Sequence, residues 1–272
     1  NVNNWLYLGH TQGSTNLLVE KNVVADSAGY FLSDMASSGV HFEHNSISKT
    51  NGGLNLSPTS YMYYPSAWVI QYNTFDGVLG EALRALQYGS GHIFSDNNVL
   101  NHGGQYIIRD TLSASSPINA QSNFWGSETT SQLQSGNDPT MILDGYDDVN
   151  YSLVDTTGYS SSPLTTTPIS RPKNFTVSSS GNDVIVSWAA NQESNLQGYR
   201  VYSGTADGFP YDSVVDVGNV TTYTIHNPGM DVRYFAVTAY KNTYVESSDI
   251  VSTFINENQT AGDESWFSKG SR

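Results

Sequence analysis

The chain has 272 residues, room for two domains of ordinary size, with 25 Asp and Glu against 11 Lys and Arg and no cysteine. A net charge of −14 excludes nucleic acid and anionic membranes as partners and makes a polyanionic polymer an awkward ligand except through calcium; the missing thiols exclude disulfides and thiolate metal sites. No apolar run approaches the roughly 20 residues needed to span a bilayer, so no membrane insertion is expected.

A short phrase recurs five times in the first half: Leu17-Leu18-Val19-Glu20-Lys21-Asn22, Val40-His41-Phe42-Glu43-His44-Asn45, Trp68-Val69-Ile70-Gln71-Tyr72-Asn73, His92-Ile93-Phe94-Ser95-Asp96-Asn97 and Ile118-Asn119-Ala120-Gln121-Ser122-Asn123. By subtraction the asparagines are 23, 28, 24 and 26 residues apart, with Asn98 a rival for Asn97. Such a period predicts stacked coils, each burying its apolar face against the next. Aligned on the asparagine, Val19, Phe42, Ile70, Phe94 and Ala120 form one apolar column and Val24, Ile47, Phe75, Val99 and Trp125 another. Glu20, Glu43, Gln71, Ser95 and Gln121 form a polar column between them, the period-2 signature of a strand with one buried face. The asparagine is expected at the bend, in left-handed backbone, with its side chains able to stack as an amide ladder.

These columns resemble the right-handed parallel β-helix of pectate lyases and other secreted carbohydrate-active repeat proteins. The resemblance covers residues 1–127 and implies a fold without implying an activity. Asn1 already stands within coil-like sequence, so the remainder of a longer chain is an expected partner. Each coil should continue, after a Gly-containing turn, into a second strand at Tyr30-Phe31-Leu32, Leu54-Asn55-Leu56, Ala82-Leu83 and Tyr106-Ile107-Ile108. The longest coil carries an aromatic excursion, Tyr61, Tyr63 and Tyr64, which offers ring faces to sugars or covers the flank of the stack.

Asn123-Phe124-Trp125-Gly126 resembles the phrase that closes the last coil in many bacterial β-helix proteins, with Trp125 plugging the open end. Residues 128–170 then read as a C-terminal cap and a Thr/Ser/Pro linker. Within the cap, Asp144, Asp147 and Asp148 are weak calcium candidates, because their spacing departs from an EF-hand loop. No cofactor is otherwise expected.

From Arg171 short alternating runs recur, with Val184, Val186 and Trp188 on one face of a strand and Phe235, Val237 and Ala239 on one face of another. Trp188, Gly198-Tyr199-Arg200-Val201-Tyr202 and Ala236-Val237-Thr238-Ala239-Tyr240 make residues 171–255 resemble a fibronectin type III module, a β-sandwich that mostly serves as a spacer. Arg233 stands where that family usually has its corner tyrosine. Residues 256–272 form a polar tail. The fold class is therefore all-β, a right-handed parallel β-helix followed by a fibronectin type III β-sandwich.

Arg109 and Asp110 are candidates for the cation and base of a lyase, with Arg84 and Asp34 at similar places in earlier coils. Glu20 and Glu43, facing out on adjacent coils, are candidates for a glycosidase pair. Tyr61, Tyr63, Tyr64 and Gln71 are the residues expected to bind a saccharide, preferably neutral given the overall charge. The expected function is a non-catalytic piece of a secreted or cell-surface protein, glycan-binding or adhesive. The alternatives are the C-terminal part of a polysaccharide lyase or glycoside hydrolase, or a component of an extracellular filament or coat. The expected partner is a polysaccharide or cell-surface glycan, outside the cell.

Overall fold

A computed structural model describes residues 6–8, 15–58, 63–206, 211–229, 231–242, 245–247 and 251–254. It divides into two compact units, residues 1–168 and 169–272. The first is a parallel β-solenoid with three sheets. Sheet I stacks the strands before each asparagine: Leu18–Glu20, His41–Glu43, Val69–Gln71, Ile93–Ser95, Ile118–Asn119 and Val154–Asp155. Sheet II stacks those just after it: Val23–Ala25, Ser46–Ser48, Thr74–Asp76 and Asn98–Leu100. Sheet III stacks the second stretch of each coil: Leu6–Leu8, Tyr30–Asp34, Gly52–Leu56, Leu83–Gln87, Ile108–Leu112 and Ile142–Leu143.

The expected columns are the observed registers. Val19, Phe42, Ile70 and Phe94 are successive partners in sheet I, and Val24, Ile47, Phe75 and Val99 in sheet II. Phe42, Ile70 and Phe94 are fully buried. Inside the stack the rings of Phe75 and Phe94 lie 5.5 Å apart, and Phe94 stacks on Trp125 at 5.9 Å.

The ladder lies along the corner between sheets I and II. The amide oxygen of Asn45 accepts the backbone and side-chain N–H of Asn22, both at 2.9 Å. Asn73 does the same for Asn45 at 2.8 and 3.0 Å, Asn97 for Asn73 at 2.9 and 3.0 Å, and Asn123 for Asn97 at 2.8 and 3.1 Å. Asn97 is thus the ladder member, and Asn98 has a different task. The left-handed residue is not the asparagine but the one before it: Lys21, His44, Tyr72, Asp96 and Ser122 have φ between 54° and 61°. Further left-handed corners fall five residues to either side, at Asn16, Gly39, Ala67 and Gly91 and at Asp26, Lys49, Gly77 and Asn101. Three such corners per coil let two three-residue strands and one longer strand close on one core.

The stack runs past residue 127. Trp125 is buried, and the chain then forms helix α1, Gly126–Gln134, with Glu128 in its first turn and left-handed Gly136 just beyond its end. Ile142 and Val154 return to sheets III and I as one further, incomplete coil.

The Thr/Ser/Pro segment then descends the outer side of the stack as a strap. Ser160 N–H bonds the Asn123 carbonyl at 2.8 Å, and Thr74 Oγ1 bonds the Pro168 carbonyl at 2.6 Å. Between them the buried Asn98 side chain accepts Leu164 N–H at 2.7 Å and donates to Leu164 O at 3.0 Å and Thr167 Oγ1 at 2.7 Å. Asn98→Ala removes all three bonds and should cost about 2–3 kcal/mol. Urea unfolding checks this, and a cost below about 0.5 kcal/mol would show that the strap contributes no stability.

The second unit consists of antiparallel sheets. One pairs Lys173–Ser180, Asp183–Ala189 and Thr222–Ile225; the other pairs Ser213–Gly218, Gly198–Gly204 and Tyr234–Asn242, which is joined in turn by Val245–Glu246 and Val251–Phe254. Their shared core includes Val184, Val186, Trp188, Tyr199, Val201, Phe235, Val237 and Ala239. Trp188 meets Tyr199 edge-on at 5.2 Å, and the Tyr199 hydroxyl accepts the Asn191 N–H at 2.9 Å.

Candidate functional site

Period-2 alternation decides which side chains sheet III presents. Leu32, Leu54, Leu83 and Ile108 are in register and point inward; the next column, Ser33, Asn55, Arg84 and Arg109, points outward. Arg84 and Arg109 are direct cross-strand partners, so two guanidinium groups leave the sheet about 4.8 Å apart at the backbone. Like charges placed so repel. Glu81 offsets part of this, with Oε1 3.8 Å from an Arg109 terminal nitrogen.

The other carboxylate oxygen of Glu81 accepts the hydroxyl of Tyr30, two coils away. Gly52, the cross-strand partner of Tyr30, makes that reach possible, because a side chain there would occupy the space of the ring. Burial, reinforced by Glu81 and opposed by Arg84, pushes the Tyr30 phenol up to about 12, so it stays a neutral donor. Burial also holds His102 below the usual imidazole range, against the pull of Glu81. Arg84 and Arg109 each keep a buried Nε that has no acceptor among the described residues. The face therefore combines two cations, one carboxylate and a phenol, all held by strands or by residues adjoining them.

Arg109 and Asp110 do not act together, since neighbouring residues on a strand face opposite ways. Asp110 points inward and is fully buried, accepting Leu112 N–H at 2.8 Å and the Ser152 hydroxyl; burial pushes its pKa up to about 7. Asp34 is likewise buried, bonded by the N–H and hydroxyl of Ser37, both at 2.8 Å, and burial raises its pKa too. Both carboxylates shape strand ends and neither reaches the outer face.

Glu20 and Glu43 are cross-strand partners as expected, but each has a local partner: Lys21 Nζ lies 3.3 Å from Glu20, and His41 Nδ1 lies 2.9 Å from Glu43. Gln71 donates to Ser95 Oγ at 2.7 Å along the same column. Tyr63 and Tyr64 are exposed, while Tyr61 falls outside the described residues. Asp144 accepts Tyr146 and Val154 N–H, both at 2.8 Å; Asp147 accepts Asp144 N–H at 3.1 Å, and Asp148 accepts Asn150 N–H at 3.0 Å, so all three brace the cap turn. Among the described residues no three His, Cys, Asp or Glu are grouped to hold a metal, and no helix is long and apolar enough to cross a membrane. The alignment carried a signal for the arginine pair, because Arg84 and Arg109 follow Leu83 and Ile108. The contribution of Glu81 and Tyr30 carried none, since it depends on a ring passing over Gly52.

No family model matches the chain, and no curated protein matches it. Among solved structures it is similar to the crystal structure of the Clostridium perfringens spore cortex lytic enzyme SleM, 21% identical with a TM-score of 0.27 over 33% of this chain. The chain spans 29% of that protein.

Proposed function

We propose that the solenoid is a non-catalytic saccharide-binding module of a secreted or cell-surface protein, and that the outer face of sheet III is its binding face. The carrying observation is the in-register pair Arg84 and Arg109 flanked by Glu81 and Tyr30. Guanidinium groups take a carboxylate or sulfate in bidentate fashion, while Glu81 and the Tyr30 phenol bond hydroxyls. A net charge of −14 disfavours a dense polyanion, so the ligand is a glycan with sparse acidic groups. The second unit, read as a fibronectin type III-like sandwich, is the spacer in this account, and a right-handed β-helix related to those of carbohydrate-active proteins is the scaffold.

A binding role is preferred to hydrolysis because a glycosidase needs two carboxylates across the scissile bond. This face carries Glu81, while Asp34 and Asp110 point inward. Binding on an open face should fall in the millimolar to micromolar range, about −4 to −8 kcal/mol. The test is titration of a sparsely glucuronidated xylan oligosaccharide and its neutral counterpart against wild type, Arg84→Gln, Arg109→Gln and Tyr63→Ala. Each arginine variant should weaken the acidic ligand about tenfold and leave the neutral one unchanged. Equal binding by wild type and both arginine variants would sink the assignment; loss only in Tyr63→Ala would move the site to the aromatic excursion.

A further inference from the structure

At the end of the stack α1, the last incomplete coil and the loop between them line an open cleft of about 390 Å³. Its apolar wall comes from Leu133, Pro139, Ile142 and Val154. Asp144 lies in the lining at 2% exposure, with each carboxylate oxygen holding one backbone N–H and keeping a lone pair. Asp138 and Tyr146 are exposed members of the lining, Tyr146 at 73%.

Among the described residues that line the cleft there is no Lys, Arg or His. From Thr111 to Ser170 the sequence holds six carboxylates (Glu128, Asp138, Asp144, Asp147, Asp148 and Asp155) and no Lys, Arg or His. Desolvation, with the charges of Asp144 and Asp147, raises the pKa of Asp138, and burial with the charge of Asp147 raises that of Asp144. A buried carboxylate, an apolar wall and an aromatic face at the mouth form a pocket shaped for one charge on a hydrocarbon body.

We propose that this cleft binds a primary ammonium carried on an aliphatic chain, with the charge at Asp138 and Asp144 and the methylenes along Leu133, Ile142 and Val154. A free alkylamine and the side chain of a lysine share this chemistry. A hard divalent ion fits less well: it needs six or more oxygen ligands, and much of this wall is carbon. The site is independent of the saccharide reading, since it shares no residue with the Arg84 and Arg109 face.

The experiment is a calorimetric titration of the full chain with 1,5-diaminopentane, Nα-acetyl-lysine amide, 1-pentanol and calcium chloride, repeated on Asp138→Asn and Tyr146→Ser. Asp138 is exposed and makes no hydrogen bond among the described residues, so its variant should fold as wild type does, which thermal melting verifies. The expected result is amine binding with a Kd of about 0.1–10 mM, weakened at least about fivefold by Asp138→Asn and by added salt, and 1-pentanol at least about tenfold weaker. Binding of diaminopentane alone marks a free amine as the ligand, and binding of the lysine derivative alone marks a lysine side chain. Three outcomes overturn the proposal: no amine binding, binding by 1-pentanol equal to that of the amines, or amine affinity unchanged in Asp138→Asn. Calcium binding that Asp138→Asn abolishes, without amine binding, would reassign the cleft to a metal.

Discussion

Replacing Asn73 with alanine should cost about 4–6 kcal/mol, a large part of the 5–15 kcal/mol that holds a typical domain together. Asn73 is fully buried at the middle of the ladder. Its amide oxygen receives two N–H groups from Asn45, and its amide nitrogen donates to the carbonyls of Phe42 and Gln71 and to Asn97. Truncation leaves two donors and at least one carbonyl buried without partners, each costing about 1–3 kcal/mol. Asn22 is the control. It is exposed and stands at one end of the described ladder, so Asn22→Ala should cost less than about 1.5 kcal/mol. Urea unfolding of the two variants gives the comparison. Equal costs at both positions would mean that the ladder decorates the corner without holding it.

The same corner shows what the sequence made legible and why the rest stayed hidden. Apolar columns and the amide ladder follow from residue type and spacing, so Phe42, Ile70, Phe94 and the asparagines could be placed without coordinates. The left-handed residue falls one place before the asparagine to which intrinsic preference points: Lys21 and Tyr72, with no such preference, take φ of 55° and 57°. There the tertiary ladder overrides local propensity: an asparagine whose amide must bond up and down the stack is needed at a fixed place, and the turn falls to its neighbour. The incomplete coil at Ile142 and Val154 was hidden because it lacks the asparagine phrase altogether. On the outer face, alternation alone separates Arg109 from Asp110, an inference the sequence allowed once the second strand was fixed in register. The bond from Tyr30 to Glu81 depends on the gap at Gly52 and carried no pattern.

Asp110→Asn should stabilise the protein at pH 8 by up to about 4 kcal/mol and change little at pH 3.5. Burial raises the Asp110 carboxyl from 3.8 to about 7, so below pH 3.8 it is protonated in both folded and unfolded chains. Above that value the unfolded chain ionises while the folded one resists. Stability from this group therefore falls as pH rises through the window from about 4 to 7, by about 1.4 kcal/mol per unit. Asparagine keeps an oxygen for Leu112 N–H and offers an N–H to Ser152, and it cannot ionise. His92 works in the opposite sense. It sits fully inside the column of Leu17, Val40 and Trp68, and burial lowers its pKa from 6.5 to about 4. Its contribution is complete above pH 6.5 and is lost as pH falls toward 4, about 3 kcal/mol in all. Hence His92→Leu should gain most near pH 4 and nothing above pH 7, the mirror image of Asp110→Asn. Apart from Asp144, whose charge bears on Asp110, the other carboxylates titrate alike in wild type and variant, so the difference curves report mainly on each replaced group. Chemical denaturation at pH 3.5, 5, 6.5 and 8 gives both curves; a flat one for Asp110→Asn would mean that water or a cation reaches that carboxylate in the folded protein.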